Sequence, residues 1–97
     1  MARVEWTHLA EMELYEIAEY IGEQQKRPAI AEKFIRDVFK KCSLYAENPL
    51  LGEARPDLGE TIRYLRHKRW LIAYEPIRDG IRIVRVVDAT RDYPRLF

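Results

Sequence analysis

Ninety-seven residues suggest one domain, 1–97, and leave little room for a second. Hydrophobic residues at 47% and charged residues at 34% argue for a folded globular chain and against disorder. No apolar run approaches the roughly 20 residues that span a bilayer. The lone Cys42 cannot form an internal disulfide and no secretory signal is visible, so a reducing cytoplasm is the expected setting. Cys42, His8 and His67 match no zinc-ligand spacing, so neither metal nor cofactor is expected.

The elements follow in chain order. Ala2 to Trp6 alternates apolar and polar residues, which is strand periodicity, and this strand is free to join a sheet edge. Thr7 is a candidate N-cap for a helix whose apolar face is Ala10, Leu14, Ile17, Ala18 and Ile21. Glu11 and Glu13 suit the positive end of its dipole. Gly22 and the polar run 24–27 mark its end. Pro28 suits the first turn of a second helix, striped by Ala31, Phe34, Ile35, Val38, Phe39, Cys42 and Tyr45. Asn48-Pro49 closes it, because a residue before proline is pushed out of the helical region. Residues 49–60, with Pro49, Gly52, Pro56 and Gly59, read as a crossing loop.

Three strands come next: Ile62–His67, Arg69–Glu75 and Ile81–Asp88. Lys68 and Asp79-Gly80 lie at tight connections, where Asp and Gly tolerate positive φ. Strict alternation puts Trp70, Ile72 and Tyr74 on a core face. It puts Arg85 on one face with Ile81, Ile83 and Val87, where its guanidinium needs a carboxylate or water. Trp6 is expected to anchor the first strand to the helices. Cys42 reads as an inert buried thiol, and His67, between Arg66 and Lys68, as a solvated strand end. The fold class is α+β: an N-terminal strand, a helical hairpin, then a three-stranded antiparallel meander.

Charge divides unevenly along this order. Residues 1–59 hold 8 Lys/Arg against 11 Asp/Glu, a net of −3, and residues 60–97 hold 9 against 5, a net of +4. The basic half suits an acidic partner or a salt-bridged sheet face equally well.

Particular residues carry a resemblance. They are Trp6-Thr7, Ala10, Leu14, Ile17 and Tyr20-Ile21, then Pro49, Gly52 and Pro56-Asp57-Leu58. Arg63, the strand Trp70-Leu71-Ile72-Ala73-Tyr74, and the run from Ile81 to Asp92 complete the set. In this order they resemble the ParE/RelE toxin family of type II toxin–antitoxin systems, on its ParE branch. Asp88 stands where that branch usually has a histidine.

The resemblance implies a cytoplasmic toxin neutralised by a cognate antitoxin, with roles in stress response and plasmid stabilisation. ParE-branch toxins are associated with inhibition of DNA gyrase. RelE-branch toxins cut messenger RNA on the ribosome, and a non-toxic antitoxin-binding relative is a third reading. A nuclease would have to use Arg63, Arg85, Arg91 and Tyr93, since arginine holds phosphate but cannot act as a base. Without an evident acid/base pair, a protein-binding role is favoured over an enzymatic one. The target-binding candidates are then Arg63, Arg69, Arg91, Tyr93 and Arg95. The antitoxin is expected in an apolar groove between the hairpin and the sheet, through a disordered segment that folds on contact.

Overall fold

The computed structural model describes residues 2–91. Strand β1 (Arg3–Trp6) leads into helix α1 (His8–Gln25) and helix α2 (Pro28–Glu47). Four strands follow: β2 (Glu53–Ala54), β3 (Arg63–His67), β4 (Trp70–Ile77) and β5 (Gly80–Asp88). They form a five-stranded sheet in the order β1-β5-β4-β3-β2. The β2–β3–β4–β5 pairs are antiparallel, and β1 adds to the β5 edge in parallel.

The helix boundaries follow from local chemistry. Thr7 is extended (φ −67, ψ 155), and its Oγ1 accepts from the Ala10 N–H at 3.1 Å. The same hydroxyl donates to the Val84 carbonyl at 3.2 Å, so one residue starts α1 and ties it to β5. At the other end Lys26 takes the left-handed conformation (φ 52), and the Lys26 and Arg27 N–H groups donate to Glu23 and Gly22. Pro28 occupies the first turn of α2, where its missing N–H costs nothing.

The hairpin covers one sheet face. Ala10, Leu14 and Ala18 of α1 and Phe34, Val38, Cys42 and Ala46 of α2 are buried against Leu65, Ile72, Tyr74, Ile81, Ile83 and Val86. Trp70 packs partly buried at the border of this core. Trp6 meets Phe39 edge-on at 5.7 Å, which fixes β1 to α2. Phe39, expected within the buried stripe, is 41% exposed because it lies at the rim of the helix face, against Trp6. The opposite sheet face has its own small core, Leu71, Ala73 and Val87, flanked by Ile62, Tyr64 and Val84.

Four expectations need correction. Strict alternation fails in β5: a bulge opposite Ala73 and Tyr74 makes Val84 an extra residue. Val86 therefore joins Ile81 and Ile83 beneath the helices, and Val87 turns to the opposite face. Within the presumed loop 49–60, Glu53 and Ala54 pair with β3, and Tyr64 Oη donates to Glu53 Oε2 at 2.8 Å. The Asp79-Gly80 turn uses no positive φ. Gly80 is needed for space instead, since a Cβ there would collide with the Arg3 backbone of β1. Finally, His67 is buried, only 8% exposed, with its ring 5.7 Å from that of Phe34. Lys68, at the adjoining turn, does adopt positive φ (55).

Candidate functional site

The arginines singled out from the sequence occupy three separate settings. Arg63 begins β3 and points to the crossing loop, where its Nη1 donates to the carbonyls of Gly52 (2.5 Å) and Leu50 (3.3 Å). Tyr74 braces the same loop: its buried hydroxyl donates to Pro49 O at 2.7 Å and accepts from Gly52 N at 2.9 Å. Burial raises the Tyr74 phenol above its ordinary value. A Cβ at Gly52 would displace that hydroxyl, so Gly52 is fixed by the close approach. This corner is a scaffold made of loop carbonyls, one guanidinium and one phenol.

Arg85 has its carboxylate partner in α1. Its Nε and Nη2 grip Glu13 at 3.1 and 2.8 Å, and Glu13 Oε1 also accepts from the Val86 N–H at 2.9 Å. The pair is largely shielded, with side-chain exposures of 18% and 17%. Glu13 thus closes the irregular backbone of the β5 bulge from above, where the sequence suggested only a dipole role. The missing signal was the bulge itself, because it aims both Arg85 and the Val86 N–H at the helix.

Arg69 and Arg91 do converge. Both reach Asp88 at the end of β5: Arg69 through a short charge-assisted hydrogen bond, Arg91 at 3.6 Å. Asp88 Oδ1 also accepts from the Thr90 N–H (2.9 Å) and hydroxyl (2.6 Å). The Arg69 hydrogen bond, followed by those of Thr90, holds the Asp88 carboxyl well below the usual carboxylate range. The Arg69 guanidinium lies 5.2 Å from the Trp70 ring centre. Trp70 pairs with Asp88 and Tyr74 with Arg63, so this cluster and the Arg63 corner lie about 13 Å apart along β4. Tyr93 and Arg95 lie outside the described residues.

The cluster borders a cleft of about 360 Å³ between α1 and the ends of β4 and β5, lined by Glu13, Tyr20, Arg69, Trp70, Asp88 and Arg91 among others. The expected groove between hairpin and sheet is therefore present, but it mixes ion pairs and aromatic rings with apolar walls. Several arginines of the sheet are engaged within the molecule: besides these pairs, Arg82 bonds Glu75 at 2.8 Å and faces Glu5 at 3.5 Å. Among the described residues no group of His, Cys, Asp and Glu is arranged to hold a metal ion. Cys42 is buried, and burial pushes its thiol up to about 12, which makes it unreactive. No helix among the described residues is long and apolar enough to cross a membrane.

Comparison with known proteins adds to this geometry. A family model described as the ParE toxin of the type II toxin–antitoxin system parDE matches residues 4–93. The chain belongs to the ParE toxin family. A solved structure of the chromosomal ParDE TA system from P. aeruginosa contains a similar chain, with a TM-score of 0.73 at 20% identity. The match covers 91% of this chain and 96% of that one, and at this identity it speaks for the fold. No functionally curated protein matches the chain. The aspartate at 88 suits its local partners in this ParE toxin. A carboxylate accepts from Arg69 and Thr90 together, whereas an imidazole offers one acceptor at most.

Proposed function

We propose that this ParE toxin acts by binding, with DNA gyrase as its target and a cognate antitoxin as its neutraliser. The observation that carries this reading is the engagement of two of the three arginines a nuclease would use. Arg85 is held by Glu13, and Arg63 by loop carbonyls. A ribonuclease needs a base for the 2′-hydroxyl and a free cation for the phosphate. Asp88 is a poor base while Arg69 and Thr90 keep it ionised, and His67 is buried beneath Phe34. Arg69 and Arg91 remain as accessible cationic contacts, with side-chain exposures of 51% and 77%. They suit recognition of an acidic protein surface.

The antitoxin is assigned to the cleft between α1 and the ends of β4 and β5, whose apolar and charged walls fit a segment that orders on contact. Its mixed lining calls for an occupant with both apolar and ionic groups. Expression of the chain alone in growing bacteria tests the reading. Filamentation with a DNA-damage response is the expected outcome. Translation arrest with cut messages would replace it by the ribonuclease reading, and normal growth by a non-toxic antitoxin-binding relative.

A further inference from the structure

The outer faces of the two helices, turned away from the sheet, have opposite character. At 100° per residue, Leu9, Met12, Glu16, Glu19 and Glu23 share the side of α1 opposite its buried stripe, and all five are exposed. No Lys or Arg occurs anywhere in α1. On α2 the corresponding outer side carries Lys33, Arg36, Lys40 and Leu44, again all exposed. Leu9, Met12 and Leu44 are 46–54% exposed, so large apolar groups accompany an acidic face on α1 and a mainly basic one on α2, where Glu47 is the exception at the end of the helix. Among the described residues no ion pair joins α1 to α2: Lys33 turns to Asp37 of its own helix at 2.7 Å.

We propose that this hairpin face is an interface with a second copy of the chain. The helices are antiparallel, and the contact of Gly22 with the Ala31 side chain marks one level on both. Counted from that level, Leu9 and Leu44 lie equally far along their helices, thirteen residues each. Glu19 and Lys33 lie three and two residues away, Glu16 and Arg36 six and five, Met12 and Lys40 ten and nine. A two-fold axis parallel to the helices, running over the hairpin, lays α1 of one copy on α2 of the other without changing these levels. Glu19 then meets Lys33 and Arg36, Glu16 meets Arg36 and Lys40, and Leu9 meets Leu44. The contact is made twice, once on each side of the axis, and the arrangement closes as a symmetric pair. Two adjacent helices present on the order of 500 Å² of outer face per copy, at the low end for a stable interface, which suits a weak dimer. Glu16 also lines the rim of the cleft assigned to the antitoxin, so the two surfaces adjoin, but self-association of the chain alone is read without reference to the toxin's target.

Sedimentation velocity of the purified full chain at low and high salt tests it, with folding of each variant checked by circular dichroism. The wild-type chain should dimerise at low salt, and its dissociation constant should rise with salt. Glu16→Lys with Glu19→Lys should weaken self-association at least about tenfold, as should Arg36→Glu with Lys40→Glu. Mixing these two doubly substituted chains should restore a pair, because each reversed helix then faces a reversed partner. Met12→Ser should weaken self-association without a change of charge. A wild-type chain that stays monomeric at submillimolar concentration and low salt would overturn the proposal. So would a dimer indifferent to all three variants, or folded charge-reversal chains that fail to pair when mixed.

Discussion

Two residues show how burial decides chemistry in this molecule. His67 lies against Phe34 with its Nε2 unpaired. Burial, followed by the charges of Lys41 and Lys68, lowers its pKa below the ordinary histidine value, against a weaker pull from Asp37. A histidine whose folded pKa is depressed contributes stability in full above its unfolded value of about 6.5. That contribution is lost as pH falls through that value and toward the lower folded one. Urea denaturation at about pH 7.5 and about pH 5.5 should therefore show the wild-type chain losing more stability on acidification than His67→Phe. Equal losses would mean that His67 is solvated after all. Glu13 is the second case. Glu13→Ala strands the shielded Arg85 guanidinium and the Val86 N–H, and should cost about 1–3 kcal/mol in chemical denaturation. The sequence calls for a carboxylate or water at Arg85 but does not reveal Glu13, which lies 72 residues away and meets it only across the β5 bulge.

At the scale of elements, the helices were legible and the sheet only partly so. A helix announces its ends with short-range chemistry, and Thr7, Pro28 and Asn48-Pro49 stand where α1 and α2 begin and end. The meander strands were visible as alternation. Their details were not, because β2 has only two residues and the bulge in β5 breaks the period. Pairing β1 with β5 also depends on a contact that no local pattern reveals. Gly80 admits the Arg3 backbone, so Gly80→Ala should push β1 off the sheet edge at a cost of about 1–3 kcal/mol, read by denaturation and by faster amide exchange in residues 3–6. Tyr74→Phe leaves the core packed but unlinks the crossing loop from β4. It should cost about 1–2 kcal/mol and hasten proteolysis within residues 49–60. Unchanged cleavage there would show that Arg63 and the β2–β3 pairing hold the loop without Tyr74.

The whole molecule is a sheet with its hairpin on one face and a charged, aromatic cleft at one end. The arginines seen in the sequence proved to be of different kinds. Arg63 and Arg85 hold the scaffold, while Arg69 and Arg91 gather at Asp88 beside the cleft. Residue type alone could not separate them, since the distinction rests on whether a carbonyl or carboxylate lies within reach in three dimensions. The central claim is that this ParE toxin poisons gyrase through contact and not by cutting RNA. Its most direct test is purified gyrase incubated with the purified chain at micromolar concentrations, with supercoiling and trapped cleavage complexes read on the same gel. Lost supercoiling and stabilised cleavage complexes are expected, both weakened by replacing Arg69 and Arg91 together with alanine. Full supercoiling with no trapped complex would contradict it.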